Sequence, residues 1–392
     1  LEMDFSGSDP QVRYALNFTT SERPHPFLCM PVVNWIQTVE PTTPRTGGII
    51  RPIRTRAPEG TFMHATFPAA MGNRWVAVMR VYDAILGCLN QAVPGGIAAA
   101  GAGQAGIISV SAVDERTGRR HVSVVEPFIG GSGGRNGADG IDGIDQPVAF
   151  LRSAPVETVE VETDLLVRRL CYEPGSAAPG RHRGGLGIRI ELENRGLPAT
   201  MTVRGQDRFR LQPWGVAGGA SGRSGRTTLE CDGTGERDIG RIDVLELPQG
   251  GVVRMLTPCG GGFADPFTRD KALVIAELRD GLLTRQQASE QYGVVANAEG
   301  DLDEAATQAL RTGRRPAPPR FTFGPTREAL EARWPPAVRA ALATAVMVAP
   351  PQVRSFWMDS IIAELEAACG PVTQAQVEAA VRRRLEAMAP RG

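Results

Sequence analysis

The sequence predicts an α+β protein: a β-rich body with glycine-rich loops, followed by C-terminal helices. Three observations carry this expectation. Across residues 107–193, and again at 201–210 and 251–256, short runs rich in Val and Ile such as IISVSAV, HVSVVEPFI and GIRIELE alternate with Gly, Pro and Asp clusters. That is the pattern of strands and turns. From Phe267 onward the apolar residues recur at helical spacing. Between the runs lie glycine-rich segments, each holding a charged or polar side chain.

Taken in order, LEMDFSGSDPQV reads as a strand running into an Asx-type turn at Asp9-Pro10, so the chain is expected to begin inside a fold, as a processed, split or partial polypeptide. Residues 73–91 set Trp75, Val78, Met79, Tyr82, Leu86 and Leu89 on one stripe, with Pro94 and Gly95 as a stop; this is a core helix. The strands of the body follow, from about 109 to 255. RTGRRPAPPRF lies in a stretch low in apolar residues, which predicts an extended connector over 297–323. Helical patterns over 326–346, 352–368 and 373–388 predict a small helical appendage at 324–392, leaving 1–296 as the body.

Composition narrows the function classes. The 43 basic and 43 acidic residues cancel, so no bulk attraction to nucleic acid or anionic lipid is expected. The uncharged stretch 85–113 is broken by Pro94 and by glycines from Gly95 to Gly106, which argues against a membrane span. Six cysteines without a C-x-x-C pair argue against a zinc ribbon or a disulfide framework and point to a cytoplasmic location.

Several motifs are weighed against plainer readings. Gly101, Gly103 and Gly106 match a dinucleotide fingerprint, but a strand follows them where a helix is required. The only lysine, Lys271, stands outside any P-loop. Gly130, Ser132 and Gly134 match a nucleophile elbow, yet RNGADGIDG follows instead of a helix. Asp139, Asp142 and Asp145 recur every third residue, against the every-second spacing of a calcium loop, and read as a solvated turn. Among four histidines none pairs at helical spacing, so no metal site is assigned to this chain.

Five glycine-rich segments remain: DFSGSDPQV at 4–12, EPFIGGSGGRNGADGIDG at 126–143, PGRHRGGLGIRIE at 179–191, QPWGVAGGASG at 212–222 and TPCGGGFADPFTRD at 257–270. In this order they resemble the hydantoinase B/oxoprolinase family, which includes N-methylhydantoinase subunits and components of acetone and acetophenone carboxylases. SAPVETVEVE and RDKALVIAELRDGLLTRQQASEQYGVV agree with it. Two departures stand out: Gly262-Phe263-Ala264 replaces a glycine-tyrosine-glycine, and Cys259 replaces a glycine. The family's N-terminal Asn-Asp-Pro segment and His/Asp motifs are absent, so the resemblance covers the C-terminal half of the family domain.

The resemblance implies a component of an ATP-dependent multisubunit enzyme that hydrolyses a cyclic amide of hydantoin, oxoproline or lactam type through a phosphorylated intermediate. A component of a ketone carboxylase, or a non-catalytic assembly subunit, are the alternatives. It implies a hydantoinase A-type partner carrying ATP and Mg2+, and a divalent metal, Zn or Mn, held by the N-terminal half. No cofactor is expected on this chain alone.

Physically, glycine N–H groups can form an anion nest and arginine supplies a fork of donors. The expected catalytic set is Arg183, His182, Asp139 and Arg135. The expected substrate-binding set is Asp4, Ser6, Gly130, Gly131, Gly184, Gly185, Gly260, Gly261, Gly262 and Asp265. Against this stands the reading that the glycines only let segments pack closely.

Overall fold

The computed structural model describes the chain apart from Glu22, Arg116, Ala149, Phe150, Asp232, residues 313–318 and residues 389–392, and apart from the side chains of Glu126 and Pro127. It forms two compact units, one made of Leu1–Ile85 with Pro325–Gly392 and the other of Leu86–Gly324. The helices after 324 therefore share a unit with the first 85 residues and do not stand apart as an appendage.

The first unit opens with β1 (Glu2–Asp4), which pairs in parallel with β2 (Arg54–Arg56). The turn after β1 is made by Asp4, whose carboxylate accepts from the Ser6 amide at 2.8 Å, and not by Asp9. Asp9 is drawn inward instead, where burial raises its pKa against the opposing influence of Arg339. Between the strands lies α1 (Pro26–Val39), capped by His25, which accepts from the Phe27 amide. The core helix α2 (Arg74–Ala92) matches the expected stripe, with Val78, Met79, Tyr82 and Leu86 buried.

The second unit is a sandwich of two antiparallel sheets. One runs in the order β11 (Leu245–Leu247), β7 (Ala199–Arg204), β3 (Ala105–Val113), β4 (Arg120–Ile129). The other runs β10 (Glu236–Asp238), β9 (Arg226–Glu230), β12 (Val252–Leu256), β6 (Ile188–Asn194), β5 (Leu165–Tyr172). Along β3 the buried residues Ile108, Val110 and Ala112 alternate with partly exposed ones, as a two-residue side-chain period requires. They meet Leu192, Leu229, Val253 and Met255 of the opposite sheet in one core, with Val159 of α3 (Val156–Thr163) beside them.

Beyond the sandwich, α4 (Lys271–Arg279) and α5 (Arg285–Tyr292) pack around Val274, Ala288 and Tyr292. The segment expected to be an extended connector contains a helix, α6 (Glu304–Arg311), and residues 313–318 of it lie outside the described residues. The local cause is Asp303, whose carboxylate caps the Ala306 amide at 2.9 Å. At the other end Arg311 donates to the Tyr292 carbonyl. We expect Asp303→Ala to lower stability by about 1 kcal/mol in chemical denaturation, the usual worth of an N-cap; an unstructured connector would show no change. The pair β13 (Phe321–Thr322) and β8 (Gly215–Val216) closes this unit.

The C-terminal helices of the first unit are α7 (Pro325–Arg333), α8 (Pro336–Val346), α9 (Pro351–Glu366) and α10 (Gln374–Met388). The expected single stretch 326–346 is broken at Pro335-Pro336, because two prolines remove consecutive amide donors. Trp334, Val346, Trp357, Ile361 and Val377 fill their shared core.

Candidate functional site

The glycine segments of the second unit converge on each other. Their backbone bonds follow a rotation that no sheet has: the Gly260 amide donates to Gly185, Gly261 to Ala100, Gly262 to Ala220, and Phe263 returns to His182. In a strand, successive amides alternate between two sides. A cycle through three neighbours is what a three-residue extended helix of the polyproline II type produces. Residues 260–263 are therefore the axis of a bundle of extended segments.

Such a bundle is tight. At Gly130, Gly131, Gly184, Gly185, Gly260, Gly261 and Gly262 alike, a Cβ would come closer than 3.0 Å to a backbone carbonyl of another segment. All seven were expected to contact substrate. The structure places them against protein backbone.

Asp139 and Asp142 were expected to form a solvated turn with Asp145, but all three carboxylates are engaged. Asp145 is buried and receives the Gly103 amide at 2.5 Å. Asp142 takes Nη1 and Nη2 of Arg183 at 2.7 and 3.1 Å and the Leu186 amide at 2.7 Å. Asp139 takes Nη1 and Nη2 of Arg269, both at 2.7 Å, and the Arg183 amide at 2.9 Å.

The Asp139 and Asp142 bonds belong to one charge network, in which the arginines are buried and the two aspartates half-buried. Glu277, from α4, bridges its two guanidinium groups, accepting from Arg183 Nε at 2.5 Å and from Arg269 Nη2 at 3.0 Å. Arg269 is 1% exposed and lies over the Tyr292 ring at 5.9 Å. Burial alone would lower the basicity of both arginines, but the carboxylates outweigh it and hold both pKa values above the ordinary one. The fork of Arg183 is thus spent on Asp142, with Nη1 also donating to the Gly184 carbonyl at 3.0 Å.

Sequence reasoning missed Arg269, Glu277 and Tyr292. Glu277 had a readable signal, since it lies three residues after Val274 on the buried face of α4, where an apolar residue is the rule.

Of the other expected residues, His182 sits beside this network. Its Nε2 accepts from the Gly137 amide at 3.2 Å, and its Nδ1 lies 4.0 Å from Asp139. Arg135 is exposed on the turn 135–138. Asp265 caps the helical turn Pro266–Thr268 through the Phe267 amide. Asp4 and Ser6 bond each other in the first unit. Ser132 is buried, and its hydroxyl accepts from the Ile141 amide at 2.7 Å, so it is held as a packing residue. Among the described residues, no three His, Cys, Asp or Glu side chains gather as a metal site. Among the described residues no helix is long and apolar enough to cross a membrane.

The Asp139 pKa is lowered: burial would raise it, but Arg269 and Arg183 prevail. A carboxylate with a depressed folded pKa contributes stability that is complete above its unfolded pKa, about 3.9, and lost as pH falls through the folded value. Asp139→Asn should therefore be less stable than the parent at pH 7, with the difference closing only well below pH 4. A difference that is flat with pH would contradict this pairing.

Comparison with known proteins identifies the family. A family model described as hydantoinase B/oxoprolinase matches residues 1–266. The chain is 28% identical over 327 residues to the B component of a putative D-/L-hydantoinase of Pseudomonas sp. (strain NS671), covering 79% of this chain and 52% of that one. It is 32% identical over 265 residues to the beta component of the caprolactamase of Pseudomonas jessenii, covering 65% and 45%. The crystal structure of the ATP-dependent caprolactamase of Pseudomonas jessenii superposes with a TM-score of 0.66 at 28% identity, over 78% of this chain and 54% of that one. The chain thus spans about half the length of these relatives. With the family model covering well over half of its residues, the chain belongs to the hydantoinase B/oxoprolinase family.

Proposed function

We propose that this chain is part of the hydantoinase B-type component of an ATP-dependent enzyme that hydrolyses a cyclic amide through a phosphorylated intermediate. The observation that carries this reading is the similarity to a caprolactamase component, at 32% identity over 265 residues. ATP and Mg2+ belong to a hydantoinase A-type partner in this reading, and a Zn or Mn ion, where one acts, to the family's N-terminal half. Of the residues first expected at the substrate, Arg135 has the geometry to meet an anion, because its side chain is exposed and guanidinium forks suit carboxylate and phosphate.

A second reading has its own observation. The glycines and Arg183 are consumed by packing and ion pairing, as in a subunit whose role is assembly.

Co-expression with a hydantoinase A-type partner and the N-terminal half of the B-type component, followed by measurement of ATP turnover, separates the readings. Turnover stimulated by caprolactam, hydantoin or 5-oxoproline, and reduced about tenfold or more by Arg135→Ala, is the expected result. Stimulation only by a ketone with bicarbonate would replace it with a carboxylase. Amide-dependent turnover indifferent to Arg135 would favour the assembly role.

A further inference from the structure

We propose that His182 is a positioning residue: it holds the turn that carries Arg135, and it releases that turn on protonation. The action of Arg135 rests on the reading above; the behaviour of the turn does not.

The turn is small. The Arg135 and Ala138 backbones exchange two hydrogen bonds, at 3.0 and 3.2 Å, and Gly137 occupies φ = 81°, where a side chain is disfavoured. The Gly137 amide projects from it to His182 Nε2 at 3.2 Å. His182 can act as a fixed post because its backbone exchanges hydrogen bonds of 3.1 and 2.9 Å with Phe263, the end of the bundle axis.

An Nε2 that accepts leaves the proton on Nδ1, which faces Asp139. The charged groups around the ring are Asp139, Arg181 and Arg269, with Arg183 next in the chain. Phe263 presents its ring 6.2 Å away. Asp139 is already bound by Arg269 and by the Arg183 amide, so it does not swing toward the imidazole. Protonation at Nε2 would set an N–H donor against the Gly137 N–H, and that bond is lost. Burial, together with Arg181 and Arg269, lowers the His182 pKa while Asp139 opposes. The neutral ring is thus the form present at pH 7, and release comes below the ordinary imidazole value of about 6.5.

The test follows the Gly137 amide of the full chain after selective 15N-glycine labelling, with hydrogen exchange measured from pH 8 to pH 5 and corrected for intrinsic rates. We expect its protection to fall roughly tenfold on acidification, the equivalent of one ordinary hydrogen bond. His182→Ala should show the low protection at every pH. His182→Gln, which places an amide oxygen near the Nε2 position, should keep the turn protected and remove the pH dependence. Protection in the parent protein that does not change with pH would overturn the proposal without touching the ATP reading. An unaltered pH dependence in His182→Gln would overturn it too.

Discussion

Gly261→Ala is expected to abolish stable folding. The added methyl would overlap the Trp214 carbonyl, and neither side can retreat. The Gly261 amide is bonded to Ala100 at 2.8 Å and its carbonyl to the Gly134 amide at 2.9 Å. Relief requires breaking bundle hydrogen bonds and leaving buried backbone groups unpaired, at about 1–3 kcal/mol each. A loss of more than about 4 kcal/mol follows, a size reserved for a few named mechanisms of which core overpacking is one. Gly47→Ala is the matched control, since nothing lies within 4 Å of its added methyl, and its unfolding midpoint should move by the equivalent of no more than about 0.5 kcal/mol. Equal effects of the two substitutions in thermal or denaturant unfolding would refute the close-packed bundle.

Arg269→Met is expected to cost about 3–5 kcal/mol, the range for breaking a buried ion pair from one side. Its guanidinium, together with that of Arg183, ties the 139–142 loop to α4, binding Asp139 and Glu277 from a residue that is 1% exposed. Methionine fills much of the volume and leaves the Asp139 and Glu277 carboxylates without this cation. Arg269→Lys should fall between, since one ammonium cannot serve two oxygens of Asp139 as a planar fork does. Combining Arg269→Met with Asp139→Asn should cost less than the two changes added together, as expected for partners in one network. Strict additivity in denaturant unfolding would show that the pair does not interact.

How much of this was readable beforehand follows from the range of each interaction. The alternation in IISVSAV gave β3 because a strand's side-chain period is local. The stripe from Trp75 to Leu89 gave α2 for the same reason. By contrast β5, with the sequence LLVRRLCY, is an edge strand whose outer half is exposed, so its residues carry no clear alternation. The buried network was hidden by distance along the chain. Arg183 and Asp139 could be picked out as charges among glycines, but nothing near them announces that α4 will deliver Glu277 between the arginines. The glycine segments were visible as composition, while their hydrogen-bond partners were not, because an extended helix makes no bonds within itself.

That last property governs how the chain must reach its native state. A sheet hairpin or an α-helix can close its first hydrogen bonds between near neighbours, whereas the axis at 260–263 finds its partners near residues 100, 185 and 220. Each of those closures spends chain entropy before any bond rewards it. Glycine, the residue with most freedom to lose, makes the cost larger. The bundle is therefore expected to assemble late, after the two sheets have fixed the entry points of its segments. A high share of such distant contacts belongs to slow folders. On that order, a body whose axis has not yet docked leaves those amides and carbonyls to water, and is expected to be more open to proteases and to self-association than the folded chain.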